Sequence, residues 1–209
     1  MQYISTRGNT PPIPFSDVLL MGLAPDGGLM LPEHYPRIDA TTLTQWRALS
    51  NTETGYRDLA FEIMQLFATD IPKADLKSLI DNTYTKQIFG SDDITPIRTL
   101  SDGIKVLALS NGPTLAFKDI AMQFLGNAFE YILKKKNQKI TIIGATSGDT
   151  GSAAEYALRG KDNIEVFMMS PHGKMSEFQR AQMYSLTDKN IHNIAIKGMF
   201  DDCQDIVKS

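Results

Sequence analysis

The sequence predicts an α/β fold, a three-layer sandwich around a mostly parallel sheet, preceded by a smaller, mostly helical region. Two observations carry this. From residue 96 onward, short runs of β-branched and apolar residues alternate with stretches whose apolar residues recur at helical spacing. The short runs are also apolar on both faces, which suits strands covered by helices on each side. Before that point the alternation is missing, and turn signals such as Pro11-Pro12-Ile13-Pro14 and Pro25-Asp26-Gly27-Gly28 separate helical stripes. The expected division is therefore 1–95, an N-terminal mostly helical region, and 96–209, the first part of a parallel α/β domain.

In chain order, Gln2-Tyr3-Ile4 reads as a short edge strand. Tyr56, Leu59, Ala60, Ile63, Met64 and Phe67 form an amphipathic stripe, hence a helix with one face on a core. A second helix is expected from Pro72, a residue suited to a first turn, burying Leu76, Leu79 and Ile80. Val106–Ser110 reads as a strand, and Lys118–Lys135 as a helix with Ala121, Phe124, Leu125, Ala128, Phe129 and Ile132 inward. The alternation continues with a strand at Ile140–Ile143, a helix at Gly151–Arg159 and a strand at Glu165–Met169. A helix at Ser176–Leu186 and a strand at Ile191–Ile196 complete it. Asp201 is expected to cap a last helix with Cys203, Ile206 and Val207 on one face. No glycine stop follows by Ser209, so a truncated domain is expected.

Composition narrows the function classes. A net charge of −3 argues against a nucleic-acid scaffold, and the basic run Lys134-Lys135-Lys136 reads as a helix C-terminus. The single cysteine, Cys203, permits no internal disulfide and fits a reducing compartment. No apolar stretch approaches the ~18 residues of a membrane span, and no secretory signal pattern opens the chain. The expectation is a cytoplasmic globular protein with no metal centre.

Three loops follow predicted strands and therefore gather at one sheet edge, where open α/β sheets bind ligands. GATSGDTG (144–151) stands between a strand and a helix. Its backbone N–H groups and the helix's positive end suit a carboxylate or phosphate, Thr146, Ser147 and Thr150 add hydroxyls, and Gly148 and Gly151 let a ligand come close. It lacks the Gly-Lys-Ser/Thr of a nucleotide phosphate loop and the G-x-G-x-x-G of a dinucleotide fold; a tight capped turn with no ligand is the plain alternative. SNGPTLAFKD (110–119) places Lys118 where a loop meets an apolar helix. An amine held among apolar groups becomes a nucleophile able to form an imine, while a lysine at a helix start equally snorkels to solvent. In SPHGKMSEFQ (170–179), Lys174 or Ser176 would face an anionic substrate, and His172 reads as a surface histidine.

GPTLAFKD followed by GATSGDTG resembles the threonine synthase family. GLAPDGGLMLPE (22–33), PHGKMSEFQ and FDDCQDIVK (200–208) extend the likeness over the whole chain. The resemblance implies a fold-type II, tryptophan synthase β-like enzyme that uses pyridoxal 5'-phosphate (PLP) to convert O-phospho-L-homoserine and water to L-threonine and phosphate, as a monomer or homodimer. Lys118 resembles the lysine that carries PLP as a Schiff base and shuttles protons. Thr146, Ser147, Gly148, Asp149, Thr150 and Gly151 resemble the loop that receives the substrate carboxylate, with Asp149 near the cofactor's phenolic oxygen. Asn111 stands where many members carry histidine. The family's glycine-rich phosphate loop has no counterpart here, so a chain inactive on its own is implied. A synthase-like phospho-lyase, another fold-type II lyase and a non-enzymatic anion-binding module are the rival readings.

Overall fold

The computed structural model describes residues 1–49 and 52–208, which form two compact units, Met1–Lys86 and Gln87–Ser209. In the first, strand β1 (Tyr3–Ser5) pairs antiparallel with β2 (Met30–Pro32), Ile4 opposite Leu31. The turn between Pro25 and Gly28 is organised by one carboxylate. Asp26 accepts from the Ser5 hydroxyl at 2.7 Å and from the N–H groups of Gly28 and Asn9, both at 2.9 Å. Gly27, at φ 77°, occupies the left-handed region that a glycine enters without strain.

Among the described residues this unit contains the helices α1 (Phe15–Met21), α2 (Ala40–Leu49), α3 (Gly55–Met64) and α4 (Lys73–Thr83). The stripe predicted from Tyr56 is α3, although Phe67 falls in the turn beyond its end. Pro72 precedes α4, and Leu76 and Ile80 are buried while Leu79 is half-buried. The single turn α5 (Lys86–Phe89) spans the boundary between the units.

The second unit opens with a hairpin. β3 (Ile97–Thr99) and β4 (Lys105–Leu107) pair antiparallel, Arg98 opposite Val106. This corrects the expectation at Val106–Ser110. The strand is shorter, exposed on every residue, and lies in its own two-stranded sheet rather than in the parallel one. The parallel sheet consists of β5 (Ile140–Ala145), β6 (Ile164–Pro171) and β7 (Ile191–Ile196) in that order, with Ile142 beside Val166 and Val166 beside Ile191.

Between and around the strands run α6 (Asp119–Lys136), α7 (Asp149–Leu158), α8 (Glu177–Tyr184) and α9 (Phe200–Lys208). α7 packs on β6, α6 and α8, and α9 lies against β5 and β6. The core gathers Phe124, Ile132, Leu133, Val166, Met168 and Met183, each buried side chain contributing about 2 kcal/mol of transfer free energy. The inward stripe of α6 runs through Phe124, Ala128 and Ile132 as predicted, but Ala121 is exposed and Gln123 takes an inward place. At the far end of the sheet Asn190 ties three elements. Its amide donates to the carbonyls of Leu158 and Ile164, both at 2.9 Å, and its oxygen accepts from Gly160 N–H at 2.9 Å. The α9 reading also needs correction. Asp202, not Asp201, takes the free Met199 N–H at 2.6 Å, Cys203 is buried, and Ile206 is exposed.

Candidate active site

The site is built by two parallel helices. Lys118 immediately precedes α6 with helical φ and ψ, and Asp149 is the first residue of α7. Three of the contacts between these helices join residues 31 apart. Lys118 meets Asp149, Gly126 meets the backbone of Ala157, and Lys161, just past α7, meets Glu130 at 2.8 Å. A constant offset means that the helices run side by side in register, so their N-termini arrive together. The backbone approach is close because Gly126 has no Cβ; one there would overlap the Ala157 carbonyl.

At those N-termini Lys118 Nζ donates to Asp149 Oδ2 at 2.5 Å and lies 5.1 Å from the Phe117 ring centroid. The apolar enclosure that one reading of the sequence suggested is therefore an ion pair beside one aromatic ring. The lysine holds the Asp149 carboxyl below the usual carboxylate range, burial opposing and N–H donors from the helix start assisting. With 28% of the Lys118 side chain and 45% of the Asp149 side chain exposed, both groups are reachable.

The loop before α7 shapes itself through Thr146. This residue is buried, and its hydroxyl accepts the N–H groups of Gly148 at 3.0 Å and Gly151 at 2.8 Å. Thr146 is thus turned into the loop, while Ser147 and Thr150 are exposed at the helix start. Gly148 is required by its φ of 150°, and the end of the Gln179 side chain lies close against it. Asn111 donates to the Ile94 carbonyl at 3.3 Å.

The third loop joins the other two through α8 rather than directly. Ser176 caps α8, its hydroxyl accepting Gln179 N–H at 3.2 Å and donating to Gln179 Oε1 at 3.0 Å, so it is already engaged. Lys174 stands exposed and makes no ion pair among the described residues. Gln179 touches Gly148, and Gln182 Nε2 donates to the Thr114 carbonyl at 3.0 Å. A cleft of about 210 Å³ at the carboxyl ends of β6 and β7 is lined by Ser170, His172, Arg180 and Tyr184 among others, and neither Lys118 nor Asp149 reaches it. Reading the sequence missed Gln179, Gln182 and above all Asp119.

Comparison with known proteins gives a consistent result. Residues 2–84 match the family model described as threonine synthase N terminus. Over its whole length the chain is 57% identical to a threonine synthase of Methylobacillus glycogenes, covering 44% of that protein. Two solved structures superpose on all of it. These are a PLP-bound threonine synthase from Brucella melitensis, with TM-score 0.89, 42% identity and 44% of that chain covered, and a yeast threonine synthase, with TM-score 0.90, 43% identity and 43% covered. The chain spans less than half the length of these relatives.

Proposed function

This chain belongs to the threonine synthase family over the N-terminal portion that it matches, and from that premise we propose that it provides the cofactor lysine and carboxylate loop of an enzyme making L-threonine and phosphate from O-phospho-L-homoserine and water. The observation that carries the proposal is the meeting of Lys118 and Asp149 at two helix starts held in register.

The residues present fit PLP. An aldehyde needs a primary amine it can reach, and Lys118 offers one that is partly exposed. Its neighbourhood supplies a carboxylate, Asp149, and the exposed Ser147 and Thr150 of the loop that opens α7. When bound, PLP supplies the electron sink that makes a substrate's Cα acidic. Lys118 Nζ then takes and returns the proton at Cα and serves the proton transfers at Cβ. Asp149 Oδ2 orients that amine and keeps a negative charge beside it. The start of α7, with the exposed Ser147 and Thr150 hydroxyls, receives the α-carboxylate, because the positive end of the helix dipole, about half a charge, lies there. Thr146 acts one step back by fixing the loop. Asn111 and Lys174 are assigned the remaining polar contacts, to the cofactor and the substrate respectively.

The test is borohydride reduction of the chain mixed with PLP, followed by peptide mapping, on wild type and Lys118→Ala. The expected result is an adduct concentrated at Lys118, with the visible imine absorbance lost in the variant. Adduct spread evenly over the lysines would sink the proposal. Phosphate binding at the α7 loop, indifferent to Lys118→Ala, would instead make the chain an anion-binding module.

A further inference from the structure

The segment from Gly112 to Lys118 has little apolar burial to hold it. Leu115 and Phe117 are 58% and 60% exposed, and Leu115 sits at φ 64°, a left-handed conformation costing a branched residue about 1 kcal/mol. Yet this segment delivers Lys118 to a defined partner. What restrains it is the next residue. Asp119 is fully buried, and its carboxylate accepts Thr114 N–H at 2.8 Å and the Thr114 hydroxyl at 2.7 Å. Gly112 makes room for it, since a Cβ there would overlap the Asp119 side chain. Gln182 takes the Thr114 carbonyl, so the N–H, hydroxyl and carbonyl of Thr114 are all engaged.

An acidic residue in a first turn is ordinarily explained by the helix dipole. That account does not cover Asp119, whose acceptor positions go back to the loop rather than to the first N–H groups of α6. We infer that Asp119 is a positioning residue: by clamping Thr114 it fixes the loop conformation that sets Lys118 against Asp149. The inference rests on the function proposed above only for what the placed lysine then does.

The measurement is the titration of the Asp149 carboxyl carbon by NMR in wild type, Asp119→Ala, Asp119→Asn and Thr114→Val, with the reductive PLP labelling run alongside. In wild type, Asp149 titrates below the usual carboxylate range because Lys118 is beside it. In Asp119→Ala it moves back toward that range, and labelling at Lys118 falls roughly tenfold or more, as misplacement of a reacting group does. Asp119→Asn retains an oxygen for Thr114 N–H and an amide to donate to the hydroxyl, so it stays near wild type. Thr114→Val removes one of the two bonds while leaving Asp119 in place, and gives the intermediate shift even if Asp119→Ala does not fold. An Asp149 titration unchanged in folded Asp119→Ala or in Thr114→Val overturns the inference. If labelling of wild type shows no preference for Lys118 while the Asp149 titrations behave as described, the cofactor reading fails and the clamp stands.

Discussion

Glu155 lies midway along α7 with no solvent exposure, and neither of its carboxyl oxygens completes a hydrogen bond among the described residues. Burial raises its pKa from 4.5 to about 7, the facing Asn193 side chain pulling weakly the other way. The Asn193 oxygen is itself without a partner among the described residues, so a protonated Glu155 can donate to it, whereas an ionised one has no proton to give. Between pH 4.5 and about 7 the unfolded chain carries this group ionised while the folded chain keeps it protonated. Stability is therefore full below about 4.5 and falls as pH rises towards 7, by roughly 3 kcal/mol in all at about 1.4 kcal/mol per pH unit. Glu155→Gln imitates the protonated form, so its urea-unfolding free energy should lose this slope. The same slope in wild type and variant would remove Glu155 as its source. Asp149 is the opposite case at the same scale, a carboxyl kept ionised by a neighbouring amine.

Among the elements, the α6–α7 pair decides where the chemistry sits. Gly126→Ala would force a methyl into the Ala157 carbonyl, a kind of overpacking that costs about 1–3 kcal/mol. The expected outcome is a lower melting temperature together with an Asp149 carboxyl that titrates nearer its ordinary range, since parting the helices parts Lys118 from Asp149. A stability loss without that titration change would mean that the pair is held at its N-termini alone. The same elements show what a sequence can tell. α6 was legible because its buried face imposes a helical period, and β5, β6 and β7 because each is a short run of β-branched and apolar residues. α2 was not, since none of its residues is buried and it carries no stripe to read. The β3–β4 hairpin was half-seen, because three exposed residues carry no sign of which sheet they join. Lys118 and the SGDTG loop stood out by motif. Asp119 did not, because its role depends on a burial and a backward reach to Thr114 that no local pattern displays.

Over the whole molecule, the open question is how much of a reaction these 209 residues can sustain. Chemistry at an acidic Cα depends on a site that excludes water, in which each fixed charge acts at full strength. Here Lys118 and Asp149 remain partly exposed, and Leu115 and Phe117 beside them present apolar surface to solvent. Ile97, Ile104 and Leu107 of the β3–β4 hairpin region are more than half exposed as well. The curated relatives are more than twice as long as the part matched here. Competence to capture an aldehyde and competence to turn over substrate should therefore separate in this chain. Incubated with PLP and O-phospho-L-homoserine, it should form the Lys118 adduct on reduction yet release no threonine above the rate of a Lys118→Ala control, with amino-acid analysis as the readout. Robust threonine formation would show that these residues enclose enough of the site to exclude water without further polypeptide. Failure of both adduct and product would point instead to a lysine that needs a closed site even to bind.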